Sequence, residues 1–260
     1  FESDEIANAR VRAHVGGASY ETRTDEEGFF AFTLAPAEPL PATQLWHAVE
    51  LELVDPLPAS GEPLRASGRV LVPPVGARFG VISDIDDTVI RTDATSLLGT
   101  FRSTMLANAR TRLPFPGVAA LYRALQGAGA NPLFYVSSSP WNIYDMLADV
   151  LVLRGIPAGP LLLRNWGLER RLELAFHHHD HKFAAITRIL ETYPQLPFLL
   201  IGDSGQEDPE IYREVIERFP GRILAVYIRN VTSASAPRTA TIQALEVQRA
   251  FFGTAHPETA

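Results

Sequence analysis

Three aspartates, Asp84, Asp86 and Asp87, crowd into four positions directly after the apolar run FGVIS. Like charges this close cost free energy unless a proton or a cation neutralises them. A helix cap or Asx turn accounts for one of them, or two. For all three, a hard divalent cation with oxygen ligands is the economical reading, and Mg²⁺ suits a site of few carboxylates. A second acidic group, Asp203 and Asp208, follows another apolar run in GDSGQEDP. There Gly202 lets the backbone turn tightly, and Pro209 makes Asp208 a candidate helix N-cap. A third apolar run ends in Ser137-Ser138-Ser139-Pro140. Hydroxyls and N–H groups at a helix N-terminus can hold a phosphate, although an ordinary cap explains them equally well.

Lysine is nearly absent: the chain has 22 arginines and one lysine, Lys182. A position that keeps lysine in such a chain points to a need for a compact charge that guanidinium cannot supply. A helix is expected to open at Lys182, where its dipole disfavours a cation, so a nearby phosphate or carboxylate is expected to offset the cost. Ser137, Lys182 and Asp203 follow Asp84 at successive intervals of 53, 45 and 21 residues. His177, His178, His179 and His181 look like a metal cluster but lack a second ligand group at suitable spacing. They read as a loop, with His181 lining the pocket.

Such groups need a frame that gathers strand ends. Of the 260 residues, 46% are hydrophobic and 20% charged, so the chain buries a core and is not of a disordered class. The net charge of −7 argues against nucleic-acid binding. The absence of cysteine excludes disulfides, thiolate zinc sites and cysteine nucleophiles. No apolar run approaches the ~18 residues of a membrane span. The sequence starts at Phe1 and leaves open whether a targeting segment preceded it.

Residues 1–74 read as a small antiparallel β-sandwich, with strands at 8–15, 19–24, 25–34, 46–54 and 64–73. In the fourth, Trp46, Ala48, Leu51 and Leu53 are set against His47, Glu50 and Glu52, with one irregularity. The pattern changes near Pro73-Pro74. Residues 75–260 read as a three-layer α/β domain with a Rossmann-like parallel sheet. Strands are expected at 79–83, 133–137, 160–163, 198–202 and 223–228. Helices are expected at 117–128, 141–154, 182–192, 209–219 and 239–251. The strands are continuously apolar, as parallel strands covered on both faces should be. Ligands of such a sheet gather at the carboxyl ends of its strands.

The four polar segments resemble those of the haloacid-dehalogenase superfamily. Its first motif, DxDxT, matches Asp84 to Thr88. Its Ser or Thr matches Ser137, its Lys matches Lys182, and its acidic motif matches Asp203 and Asp208. A closer resemblance is to the catalytic domain of the actin-patch phosphatidate phosphatases and their bacterial relatives, which have a lipin-like core. SDIDDTVI, FPGV at 115–118, SSSPWNIY, GPLLLRNWG, HK at 181–182 and GDSGQEDPEIY carry it. TDEEGFFAFTL resembles part of a transthyretin-like domain, which can precede the catalytic one in that family. Asn165 and Asn230 stand where the family often has an acidic residue.

The resemblance implies phosphomonoester hydrolysis through an aspartyl-phosphate. Asp84 is then the nucleophile and Asp86 the general acid and base. Mg²⁺ is held by the Asp84 side chain, the Asp86 carbonyl and Asp203, with Asp208 supporting the metal shell or positioning Lys182. Ser137 and Lys182 grip the phosphoryl oxygens, with Thr88, Ser138 and Arg164 as further substrate contacts. The favoured substrate is phosphatidate, an anionic lipid at a membrane surface, because the short intervals leave no room for a large enclosing cap. A cytoplasmic or peripheral-membrane location follows. A soluble or nucleic-acid-end phosphate monoester is the alternative substrate, and a non-catalytic adaptor the alternative class. Residues 91–112 read as a basic amphipathic helix that either lies on an anionic membrane or packs as core.

Overall fold

The computed structural model describes residues 6–90, 115–164 and 178–231, and the chain divides into two compact units, Phe1–Gly76 and Ala77–Ala260. The expected basic helix over 91–112 and the helix over 239–251 lie outside the described residues.

The first unit holds one antiparallel sheet built from β1 (Arg10–Val15), β2 (Ala18–Arg23), β3 (Trp46–Asp55) and β4 (Leu64–Leu71), in the order β2-β1-β3-β4. Val11, Ala13 and Val15 alternate into its buried face. Gly16 and Gly17 both take positive φ, as a two-residue hairpin joining Val15 to Ala18 requires. Two expectations are corrected here. His47, not Trp46, shares the buried face with Val49, because β3 keeps strict period two through Leu45, His47 and Val49. The His47 ring lies 3.2 Å from the Gln44 carbonyl, while Trp46 is covered by the Arg69 guanidinium. The aromatic segment 25–34 is not a strand. Asp25 Oδ1 accepts the N–H groups of Glu27 and Phe29, tying the chain into a turn instead of a ladder. Phe32 and Leu34 still pack on the sheet. Irregular chain therefore covers this face, in place of the second sheet of a sandwich.

The second unit is α/β, with four α-helices among its described residues. In chain order they are β5 (Gly80–Ser83), α1 (Val118–Gln126), β6 (Leu133–Pro140), α2 (Tyr144–Leu153), β7 (Leu161–Arg164), α3 (His178–Thr192), β8 (Phe198–Asp203), α4 (Asp208–Arg218) and β9 (Ile223–Arg229). The sheet is fully parallel in the order β7-β6-β5-β8-β9. Val81 pairs with Leu133 on one side and Leu199 on the other, and all of these are buried, as the apolar runs required. The chain builds outward from β5 through β6 to β7, then returns to the other side of β5 for β8. β5 is thus the switch point of the sheet, where a crevice opens at the carboxyl edge.

Side chains lock the helices to this frame. Arg222 Nη2 donates to the carbonyls of Leu190, Tyr193 and Leu196 at 3.2, 2.7 and 2.9 Å, closing the carboxyl end of α3. Tyr212, fully buried on α4, donates to the Ile201 carbonyl at 2.8 Å and pins α4 to β8. Two boundaries differ from expectation. The serine run lies inside β6, and α2 begins only after a 3₁₀ turn at Trp141–Ile143, so the serines are not helix caps. α3 starts at His178, which puts Lys182 more than one turn inside the helix.

Candidate active site

Every polar segment singled out in the second unit arrives at one edge. Asp84 follows β5, Ser137 to Ser139 close β6, Arg164 ends β7 and Asp203 ends β8. Lys182 comes from α3 and Asp208 is the first residue of α4. Asp84, Asp86, Ser137, Ser139, Lys182, Asp203 and Asp208 are all buried.

The two aspartates after β5 turn to opposite neighbours. Asp84 faces α3: Lys182 Nζ donates to Asp84 Oδ1 at 2.8 Å and to Asp208 Oδ1 at 2.7 Å. Asp86 faces β6: the hydroxyls of Ser137 and Ser139 both donate to its Oδ2 at 2.9 Å. Ser139 was missed by the sequence reading. Its position two residues after Ser137, on the same face of an extended strand, was the available signal. Asp208 does not cap α4. Its Oδ2 accepts the Asp203 N–H at 3.1 Å, and Glu207 holds the cap position without a side-chain bond. Asp203 Oδ1 in turn accepts the N–H groups of Gly205 and Gln206.

Gly202 is not a turn residue. It lies within β8, and a Cβ there would meet the Asp208 side chain, with Asp208 Cβ at 2.8 Å and Cγ at 2.9 Å. Behind the edge, Ser83 Oγ donates to the Asp84 carbonyl at 2.6 Å and accepts from the buried Tyr122 hydroxyl at 2.5 Å. Thr88 is buried, and its carbonyl accepts from Arg229 Nε at 3.2 Å. That guanidinium also lies 3.9 Å over the Phe115 ring. The turn holding Asp86 and Thr88 is closed by Asp87 in the left-handed region, at φ 55°. Ser138 is half-buried beside Ser137, Arg164 pairs in register with Pro140, and His181 is half-buried on α3.

The electrostatics are those of a site short of positive charge. Asp84, Asp203 and Asp208 place one ligand oxygen each within 4.8 Å of one another. Three carboxylates against the single Lys182 ammonium leave an excess of two negative charges. Burial pushes the Asp84 carboxyl well above its ordinary range; Lys182 opposes this, and Asp208 and Asp86 reinforce it. Burial and the charge of Asp208 push Asp203 up to about 6. Burial works against the Lys182 charge, but Asp208 and Asp84 outweigh it and hold the ammonium above its ordinary value. Asp84 Oδ2 and Asp203 Oδ2 are buried without a hydrogen-bond partner among the described residues. A buried acceptor without a donor costs about 1–3 kcal/mol. All-oxygen ligands, two orphaned lone-pair groups and two uncompensated charges fit a hard divalent cation. The Asp86 side chain, committed to the serines, is not part of this cluster.

An acidic, lysine-bridged centre at the switch point of a parallel sheet defines an α/β domain with a buried carboxylate cluster that could hold a metal ion. The chain belongs to the family described as "Phosphatidate phosphatase APP1, catalytic domain", which it matches over residues 79–230. It is 30% identical over 183 residues to the phosphatidate phosphatase APP1 of Saccharomyces cerevisiae, covering 70% of this chain and 30% of that protein. It is also 30% identical over 161 residues to an uncharacterized protein of Schizosaccharomyces pombe, covering 60% of this chain and 26% of that one. The chain thus spans less than a third of these curated relatives. Among solved structures, a chain of the Pnkp1/Rnl/Hen1 RNA repair complex matches at 13% identity and TM-score 0.42, covering 62% of this chain and 46% of that one. A class C acid phosphatase from Bacillus anthracis, with tungstate bound, matches at 13% identity and TM-score 0.36, covering 65% and 79%. No helix among the described residues is long and apolar enough to cross a membrane.

Proposed function

We propose that this chain hydrolyses phosphate monoesters through an aspartyl-phosphate on Asp84, with phosphatidate as the favoured substrate. The reading rests most on one observation: Lys182 joins Asp84 to Asp208, while two serine hydroxyls join Asp86 to β6, at a single strand edge. A carboxylate oxygen of Asp84 attacks phosphorus, and the bond to the leaving alkoxide breaks. Asp86 gives that alkoxide a proton, so the alcohol (diacylglycerol, for phosphatidate) departs. Asp86 then takes a proton from water as water attacks the acyl phosphate, which releases phosphate and restores Asp84. Splitting hydrolysis in this way replaces one difficult step with two easier ones. The Asp84 and Asp203 side chains and the Asp86 carbonyl would hold Mg²⁺, which would supply positive charge to reduce repulsion between a carboxylate and an anionic phosphate.

Lys182 holds Asp84 in one orientation and presents its remaining N–H to the phosphoryl oxygens, where charge is spread in the transition state. Ser137 and Ser138 border the same position, with Thr88 and Arg164 as outer contacts. Asp208 positions Lys182. Residues 1–74, which contain none of these groups, form a β module outside the chemistry, and the enzyme works peripherally at a lipid surface. The test is phosphate release from phosphatidate, lysophosphatidate and soluble sugar and nucleotide monophosphates, with MgCl₂ or with chelator. Wild type is expected to prefer phosphatidate and to need the cation. Asp84→Asn, whose amide cannot form the acyl phosphate, is expected to be inactive. Full activity in Asp84→Asn would refute the mechanism, and preference for a soluble ester would move the substrate class.

A further inference from the structure

Beyond Pro140 the chain makes a 3₁₀ turn before α2. Ile143 is buried and fixes the turn to the core, which leaves Trp141 and Tyr144 facing outward, 37% and 38% exposed. Their rings stack on each other with centroids 5.3 Å apart and planes 13° from parallel. Two large aromatic rings held outward in a fixed stack are ordered before any partner arrives, so little side-chain entropy remains to be lost on binding.

Their place in the chain matters more than their exposure. Ser139, two residues before Trp141, donates to Asp86. Two residues of chain reach at most about 7 Å, so the backbone of Trp141 stays on the same sheet edge as Ser139 and its partner Asp86. Arg164 ends the adjacent strand in register with Pro140 and puts a cation on the same edge. Trp and Tyr are the side chains that settle at the headgroup level of a bilayer, apolar on one side and polar on the other, and nearby arginine favours anionic lipid. A nucleic-acid base is a poorer match. The rings close on each other and leave no slot between them for a base to stack in.

We propose that the Trp141–Tyr144 stack is a docking surface for an anionic phospholipid bilayer, entering the headgroup region and seating the carboxyl edge of the sheet over lipid phosphates. Its advantage for turnover rests on the phosphatidate reading, but docking itself is read without turnover. The chain has three tryptophans, so Trp46→Phe with Trp166→Phe leaves Trp141 as the only tryptophan, read selectively by excitation at the red edge of its absorption. Vesicles of phosphatidylcholine containing phosphatidate are expected to shift its emission to the blue, and lipids brominated near the headgroup to quench it. In the otherwise wild-type full chain, Trp141→Ala with Tyr144→Ala is expected to lower vesicle retention and vesicle turnover about tenfold. Turnover of short-chain phosphatidate dissolved as monomers, and the melting temperature, should stay unchanged.

An unshifted, unquenched Trp141 in the presence of vesicles overturns the proposal. So does equal loss on vesicles and monomers, which makes the stack part of the site or the fold. A blue shift and vesicle retention without hydrolysis of any phosphatidate supports the docking surface while removing the phosphatase reading.

Discussion

Gly202→Ala is the sharpest single perturbation of the site, because it adds one methyl group without replacing any functional side chain. Gly202 does not take a positive φ, so alanine meets no backbone obstacle there. The obstacle is Asp208, whose Cβ and Cγ would stand 2.8 and 2.9 Å from the new Cβ, with Oδ2 closer still. Carbon atoms rest at about 3.5–4.0 Å, so Asp208 must retreat by roughly 0.7–1.2 Å. The Lys182–Asp208 bond of 2.7 Å then opens beyond hydrogen-bonding distance, as does the 3.1 Å bond from the Asp203 N–H. Overpacking of this kind costs about 1–3 kcal/mol. In a unit of this size each kcal/mol lowers the melting temperature by roughly 2–4 °C. The activity effect should be larger, since displacement of a positioning group by about 1 Å costs on the order of 10²-fold. Calorimetry together with kcat/KM on a soluble phosphate ester measures both. Gly76→Ala, where nothing lies within 4 Å of the added Cβ, is the control and should match wild type. A Gly202→Ala protein with wild-type melting and wild-type kcat/KM would refute the argument that Asp208 must sit against bare backbone to hold Lys182.

Lys182→Arg keeps the charge but should lose at least about 10²-fold in kcat/KM, because a planar guanidinium cannot occupy the point between Asp84 and Asp208; wild-type kinetics in this variant would dismiss the lone-lysine argument. Asp203, raised from 3.8 to about 6 in the folded chain, makes a pH-dependent contribution. Its proton is bound more tightly folded than unfolded, so this stabilisation is complete below about pH 4 and is lost as pH rises through about 6. A divalent cation competes with that proton, so the rise in melting temperature on adding MgCl₂ should grow from pH 5 to pH 7; a pH-independent rise would exclude Asp203 as a ligand. A chain beginning at Ala77 should keep its kcat/KM on a soluble ester, and a folded but inactive product would show that the first unit contributes to the site.

The sheet of the second unit was legible because its central strands are unbroken buried apolar runs, and every acidic and serine candidate lies at or shortly after the end of one of them. Strand order then does the remaining work, since any residue at a strand's carboxyl end must arrive at the same edge. What stayed hidden depends on register between elements distant in sequence. Tyr122 acts through α1 lying against β5 and nothing local marks it, while Ser139 was signalled only by sharing a strand face with Ser137. The first unit was harder. Its segment from Asp25 has the composition of a strand, but one aspartate side chain diverts two backbone N–H groups into a turn. Likewise a single buried histidine reversed the apparent faces of β3. Where a polar side chain satisfies the backbone or is itself satisfied in the core, alternation of apolar residues stops reporting which face is inside.

The lone lysine shows how a sound conclusion can come from an incomplete premise. Its expected place at a helix N-terminus, in conflict with the dipole, is not what the structure has, since α3 begins four residues earlier. The conflict is resolved in tertiary structure, by one carboxylate following β5 and another opening α4, at 2.8 and 2.7 Å. An ammonium has three donors on one atom, so serving both carboxylates leaves the third for an incoming anion. Guanidinium spreads its donors over a plane and suits one bidentate partner rather than two separate ones. The same two bonds tie the positions of Asp84 and Asp208 to each other across 124 residues of chain. Loss of Asp208 must therefore disturb Asp84 even though the two share no element, which is why a methyl group on Gly202 should reach the chemistry.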